Sequence, residues 1–142
     1  MQKPEQCIVV LDFGAQYSKL IARRVRETKV YSLIFPFDTR IEKIRALQPA
    51  GIIFSGGPSS VRTPGAPKPD PAIFDLGVPI LGICYGVQLF GDMLGGRVER
   101  ADQREYGIAF LEHHDTSGLL AGVDERTQVW MSHGDRVEAL PA

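Results

Sequence analysis

The chain of 142 residues holds two cysteines, and their neighbours give them different prospects. Cys84 lies in Gly82-Ile83-Cys84-Tyr85-Gly86, between the apolar run Val78 to Ile83 and an amphipathic stretch that starts at Val87. A nucleophile framed in this way, by glycines two before and two after, is the pattern of a strand-to-helix elbow. The glycines let strand and helix approach closely, and a strained backbone lifts the sulfur above the end of the sheet. The same turn sets the sulfur at a helix N-terminus, whose partial positive charge favours an anion. Ligands of open α/β sheets bind beyond the carboxyl ends of the strands, where this elbow would lie. Cys7 opens a β-branched run with no such frame and reads as a buried structural thiol. There is no C-x-x-C pair, so neither a disulfide framework nor a zinc site is expected.

Attack by a thiolate on a carboxamide creates a tetrahedral oxyanion, which needs preset N–H donors. The amide of Tyr85, directly after the nucleophile, is one candidate. Ser55-Gly56-Gly57-Pro58 follows another apolar run and can offer backbone N–H groups that no side chain covers. Gln88, four residues past Cys84, falls on the same helix face and can reach the same space.

Those groups need a scaffold, and the remaining pattern supplies one. Cys7 to Leu11, Val30 to Phe35, Gly51 to Phe54 and Val78 to Ile83 read as buried strands. Helical stretches alternate with them. The first runs over residues 16–28, with Tyr17, Leu20, Ile21, Val25 and Thr28 as its inner face. The second is opened by Thr39-Arg40-Ile41-Glu42 in capping-box form, presents Ile41, Ile44, Ala46 and Leu47, and stops before Pro49. Asp70-Pro71 starts a short helix that ends near Gly77. The last runs from Val87 to Leu94 and is closed by Gly95-Gly96. Residues 55–69, rich in Gly, Pro and Ser, form a loop. The alternation predicts an α/β fold: a mostly parallel open sheet, flavodoxin-like, with helices on both faces. After Gly96 the pattern changes to three strand candidates, at residues 97–100, 107–111 and 127–130, separated by polar turns; these predict additional antiparallel strands.

Composition narrows the classes of function. With 44% hydrophobic residues the chain can bury one sizeable core. No apolar run approaches the ~20 residues of a membrane span, and Met1 to Gln6 lack a secretory leader, so no membrane association and a cytoplasmic location are expected. The net charge of −1, from 16 basic and 17 acidic side chains, gives no basic footprint for nucleic acid. Lys19, Arg23, Arg24, Arg26 and Lys29 read as a solvated helix face, the alternative being a docking surface. His113-His114 reads as an exposed polar loop rather than a metal site. The first strand-helix turn, Asp12-Phe13-Gly14-Ala15-Gln16, has no G-x-G-x-x-G phosphate cradle, which argues against a nucleotide binder of flavodoxin type.

The elbow and the Ser-Gly-Gly-Pro loop together resemble the class I, or triad, glutamine amidotransferases. Three further stretches are similar to the GMP synthase family among them: Leu11-Asp12-Phe13-Gly14-Ala15-Gln16-Tyr17, residues 21–27 (Ile-Ala-Arg-Arg-Val-Arg-Glu), and Val129-Trp130-Met131-Ser132-His133-Gly134-Asp135. The resemblance covers nearly the whole chain. It implies a cysteinyl thioester at Cys84, with oxyanion donors at Gly57 and Tyr85. It implies that Gln88, Ser132, Gly134 and Asp135, with Ser59, bind the substrate glutamine. The ammonia released would pass to a synthetase domain that uses ATP and Mg2+ to aminate XMP to GMP. No cofactor and no metal are implied for residues 1–142, and the full-length enzyme is expected to be a homodimer.

The chain departs from the family's pattern in two ways. Ala15 stands where a serine is expected. Ala142 precedes the His-Pro-Glu motif in which the family carries its general base and the glutamate that orients it. The expectation is an amidotransferase domain cut before that motif, with the synthetase domain absent and little glutaminase activity in isolation. Two other readings are an amidotransferase for another pathway, such as anthranilate, carbamoyl phosphate or CTP synthesis, and a catalytically silent regulatory module of the same fold.

Overall fold

The structure, a computed structural model, describes residues 6–114 and 116–142, without the side chains of residues 102–105. The stretch 1–5, on which part of the reading of no secretory leader rests, lies outside the described residues. The first part of the chain alternates as the sequence predicts: β1 (Cys7–Asp12), α1 (Ser18–Glu27), β2 (Tyr31–Pro36), α2 (Ile41–Leu47), β3 (Gly51–Phe54), a 3-10 helix (Pro71–Leu76), β4 (Ile80–Gly82) and α3 (Tyr85–Met93). The four strands form one parallel sheet in the order β2-β1-β3-β4.

Alternation along β1 divides the core into two faces. Val9 and Leu11 join Ile41 and Ile44 of α2, Ile73 of the 3-10 helix and Leu89 of α3 in one apolar cluster. Val10, fully buried on the opposite side, faces the layer to which α1 belongs. The tie to α1 is Ser32, paired with Ile8 across the ladder, whose hydroxyl donates to the Ala22 carbonyl at 2.9 Å. Helices therefore cover both faces of the sheet. The uninterrupted Ile-Val-Val-Leu run follows from that double burial.

α1 sits differently from the expectation. Its buried residues are the small Ser18 and Ala22, while Tyr17 and Leu20 are exposed. Small side chains let the helix lie close to the strands, and the Ser18 hydroxyl donates to Asp12 Oδ1 at 2.8 Å. On α2, Ala46 is likewise exposed. Thr39 does not cap that helix: Arg40 is the N-cap, without a side-chain cap bond, and the Thr39 hydroxyl donates back to Pro36 O. Asp70 does cap the 3-10 helix, accepting from the Ala72 amide at 2.9 Å. The arginines of α1 face solvent, with Arg23 and Arg24 paired to Glu27.

Beyond Gly96 the expected three short strands are two long ones, β5 (Arg97–Glu112) and β6 (Arg126–Ala139), paired antiparallel in a separate two-stranded sheet. The polar residues between the first two candidates belong to a register shift, because Arg100 pairs with Asp135 and Glu105 with His133. Four residues of β5 there oppose the single Gly134, a local bulge. The ribbon seats on α3 where Gly91 leaves room: a Cβ on Gly91 would lie 2.8 Å from Val98 Cγ2. Its far side carries exposed Ile108 and Trp130, directly paired. His113 is buried just past β5 rather than lying in an exposed loop; its amide donates to Glu125 O and its Nε2 lies 3.0 Å from Asp124 O. Among the described residues no helix is long and apolar enough to cross a membrane.

Candidate active site

At the carboxyl edge of the parallel sheet the chain turns from β4 into α3 through Cys84. Its φ of 51° and ψ of −110° place a non-glycine residue in left-handed space. The helix begins at Tyr85, two residues before the expected Val87. The glycines that frame the cysteine are required by packing. A Cβ on Gly82 would lie 2.7 Å from the backbone of Gly86, and one on Gly86 would lie 2.5 Å from Phe54 O. Ile83 N–H donates to Phe54 O at 3.0 Å and Gly86 N–H to Ile83 O at 2.9 Å, so the turn is bonded on both sides of the cysteine. Cys84 itself is exposed.

Behind the sulfur the elbow is anchored by Tyr85. Its ring is buried against Phe13, with centroids 5.6 Å apart, and its hydroxyl donates to Pro67 O at 2.5 Å. Burial, and secondarily the nearby Asp92 charge, push this hydroxyl up from its ordinary 10.0 to about 12. The Tyr85 amide is the first of α3, a position that helix geometry leaves without an intrahelical acceptor. The amides of Val87 and Gln88 are both directed to Cys84 O.

The loop after β3 is held just as closely. Ser55 is fully buried; its amide donates to Leu11 O, its hydroxyl donates to Gly56 O and accepts from Phe13 N–H at 2.9 Å. A Cβ on Gly56 would touch Cys84 Cβ at 3.4 Å, and one on Gly57 would lie 2.5 Å from Phe13 O. Glycine is required at position 57, where the loop passes close over Phe13, and Gly56 lies within contact distance of Cys84. The Leu11-Asp12-Phe13-Gly14 stretch supports it from below: Asp12 Oδ1 accepts from the Gly14 amide, Gly14 has a φ of 97°, and Phe13 packs on Phe54 and Tyr85.

These parts enclose a cleft of about 480 Å³, closed on its third side by the ribbon. Gly57, Ser59, Cys84, Tyr85, Gln88, Ser132, Gly134 and Asp135 all line it. Three separate stretches of sequence thus converge on one space. Gln88, 8% exposed, turns inward and donates from Nε2 to Asp135 O at 3.2 Å. The segment 132–135 is not a turn after a strand but part of β6 itself, beside the bulge. Ser60, Arg62, Thr63, Arg100 and Tyr106 also line the cleft and were not singled out from the sequence; His133, quoted there only within the 129–135 stretch, lines it too. Ser60 and Thr63 sit in a loop whose composition marks only a loop. Arg100 and Tyr106 flank the register shift, which leaves no periodic signal.

An exposed thiol on a left-handed elbow, lining one polar cleft with Gly57 and Tyr85, has the layout of an acyl-transfer site. The chain belongs to the class I glutamine amidotransferases: residues 9–142 match the family described as "Glutamine amidotransferase class-I". Among individual proteins it is similar to the GMP synthase [glutamine-hydrolyzing] of Heliobacterium modesticaldum, 56% identical over 141 residues that cover 99% of this chain and 28% of that protein. The GMP synthase [glutamine-hydrolyzing] of Synechococcus sp. is 58% identical over 135 residues, covering 94% of this chain and 26% of that protein. The chain thus spans about a quarter of the length of these curated relatives. Among solved structures, a Thermoplasma acidophilum protein provisionally named as a GMP synthase component superposes with a TM-score of 0.79 at 27% identity, over 96% of this chain and 68% of that one. A glutamine amidotransferase from Thermotoga maritima shares the fold with a TM-score of 0.70 at 19% identity, over 96% and 63%.

Proposed function

We propose that this domain hydrolyses glutamine at Cys84 and supplies the ammonia for ATP-dependent amination of XMP to GMP by a synthetase region of the same enzyme. The observation that carries the reading is the convergence of Cys84, Gly57, Tyr85, Gln88 and Asp135 on one cleft. The high identity to GMP synthases supports the choice of acceptor.

In this reading the Cys84 thiolate attacks the side-chain carbonyl of glutamine, forming a C–S bond. The oxyanion accepts hydrogen bonds from the Gly57 and Tyr85 amides. The C–N bond then breaks and ammonia leaves, protonated as it departs. Water attacks the thioester, releasing glutamate and returning the thiol. Gln88 and the 132–135 segment of β6, with Ser59, bind the amino-acid end of the substrate. Proton transfer to the leaving ammonia and from the attacking water needs a general acid–base, for which the family resemblance points to a His-Pro-Glu motif beyond residue 142. ATP and Mg2+ belong to the synthetase region in this proposal, and no step at Cys84 uses them. A cytoplasmic homodimer is the expected setting.

The test is labelling of the protein at its natural length with a chloroketone analogue of glutamine, followed by digestion and mass spectrometry. The adduct is expected on Cys84 and to be suppressed by excess glutamine. An adduct confined to Cys7, or labelling indifferent to glutamine, overturns the assignment.

A further inference from the structure

The ribbon carries part of the proposed glutamine site, and its own ladder is irregular there. Arg100 pairs with Asp135 and Glu105 with His133, so residues 101–104 stand opposite Gly134 alone and regular pairing lapses beside Asp135. The seat of the ribbon on α3, where Val98 and Val137 pack over Gly91, lies away from the cleft. Pairing with β5 holds His133 and Asp135 within the ribbon, but their distance from Cys84 is set by contacts from outside it.

Two hydrogen bonds seen among the described residues are such contacts, and both end on Asp135. Gln88 Nε2, from α3, donates to its backbone carbonyl at 3.2 Å, across 47 residues of sequence. The Ser60 hydroxyl, from the loop that carries Gly57, donates to its carboxylate Oδ2, across 75 residues. Ser60 is in turn fixed by its own loop, since its Oγ accepts from the Arg62 amide at 3.2 Å. Its one proton and one of its lone pairs are therefore committed. The donation to a carboxylate is of the stronger, charge-assisted kind.

We infer that Ser60 is a positioning residue for glutamine binding: through Asp135 it locks the substrate-binding segment of β6 to the loop that carries the Gly57 amide. The inference rests on the proposed glutamine site. A substrate gripped at one end by β6 and at the other by Gly57 and Cys84 is bound tightly only when the two grips are already a set distance apart, and the Ser60–Asp135 bond sets it. Ser60 touches no reacting atom in this scheme. It acts on binding, not on the chemistry of the sulfur.

The test compares Ser60→Ala and Ser60→Thr with the parent protein at its natural length. Loss of a hydrogen bond to a charged group that positions the substrate is expected to raise the KM for glutamine about tenfold in Ser60→Ala, with kcat within about twofold. Ser60→Thr, which keeps the hydroxyl, is expected to return KM to within about threefold of the parent. Labelling of Cys84 by the glutamine chloroketone should slow about tenfold in Ser60→Ala, while labelling by iodoacetamide, which needs no grip on an amino-acid end, should keep the parent rate. An unchanged KM, a threonine variant as impaired as the alanine variant, or equal slowing with both reagents overturns the inference. Failure of the parent protein to label at Cys84 with the chloroketone would instead sink the glutamine site on which it rests.

Discussion

Cys7 and Cys84 stand at opposite ends of parallel strands, and everything about their surroundings differs. Cys7 begins β1 in ordinary ladder pairing with Tyr31, is 5% exposed, and packs among Val9, Leu11 and Ile52 in the core cluster. Cys84 follows β4, is exposed, and has a φ of 51°. One thiol sits at the amino edge of the sheet, the other beyond the carboxyl edge, where helix N-termini and loop amides converge. The side chain is the same, so its prospects come from the backbone that carries it. Packing buries Cys7 in the core; two glycines and a left-handed residue leave Cys84 exposed in the lining of the cleft.

Exchanging each sulfur for hydrogen tests that contrast most directly. Cys84→Ala in the enzyme at its natural length should lower glutamine-dependent synthesis by about 10³-fold or more while sparing synthesis from added ammonium. Cys7→Ala should keep both activities and lose about 1 kcal/mol of stability for the small cavity it leaves. Steady-state assays with each nitrogen source decide it. Parallel loss of both activities in the Cys84 variant would make that cysteine structural, like Cys7.

The frame around the nucleophile comes next. A methyl group on Gly86 would meet Phe54 O at 2.5 Å, a backbone atom of a central strand that cannot swing away. Gly86→Ala should therefore cost about 3 kcal/mol, at the upper end of the usual cost of overpacking, and force α3 off β3. Denaturant unfolding measures the loss. A cost under about 1 kcal/mol would mean that the elbow tolerates a looser approach than its geometry demands.

These contrasts also explain which parts of the molecule could be read from the sequence. Cys84 and its glycines were legible because a strand-helix elbow imposes local rules on five consecutive residues. The parallel sheet was legible because double burial of β1 makes its residues a continuous apolar run. The ribbon was not. Its bulge opposite Gly134 interrupts the period-2 pattern of β5, so one strand looked like two, and residues 132–135 looked like a turn because Ser, His, Gly and Asp are turn formers. Ser60 carries no mark at all, since its partner Asp135 lies 75 residues away. On α1, apolar periodicity pointed to Leu20, but the close approach allowed by Ser18 and Ala22 decided which face is buried.

Tyr85 shows how the exposed cysteine borrows rigidity from the core, and its hydroxyl gives a readout with a definite sign. The folded state holds that proton up to about 12, against 10.0 for an ordinary tyrosine. Below pH 10 both folded and unfolded chains are protonated and the contribution is fully present. As pH rises from 10 towards 12 the unfolded chain releases the proton first, and stability falls. Tyr85→Phe removes this loss. At pH 8 it should cost about 1 kcal/mol for the bond to Pro67 O, and the gap to the parent should shrink or reverse above pH 10. Urea unfolding at a series of pH values follows both effects. A constant gap from pH 8 to pH 11 would mean that Tyr85 does not hold its proton as its burial implies.

The smallest effect reports on the strain that separates the two cysteines. A non-glycine residue in sparsely populated backbone space costs about 1–3 kcal/mol. Nothing analogous burdens Cys7. Glycine at position 84 relieves that strain but adds freedom to the unfolded chain, a penalty of roughly 0.5–1 kcal/mol. Alanine keeps the Cβ and therefore the strain, and it removes the same sulfur. The difference between Cys84→Gly and Cys84→Ala thus isolates the backbone term from the loss of the thiol. If the left-handed geometry is strained as its φ of 51° and ψ of −110° imply, the glycine variant should be the more stable of the two by about 1 kcal/mol, although both are inactive with glutamine. The same pair of substitutions at Cys7, in ordinary β space, should show the opposite order, because glycine there loses entropy and relieves nothing. Thermal and denaturant unfolding of the four variants measures both differences. Should alanine prove the more stable at both positions, the elbow would hold no strain worth relieving, and the reactivity of Cys84 would have to come from its exposure and its place at the start of α3 alone.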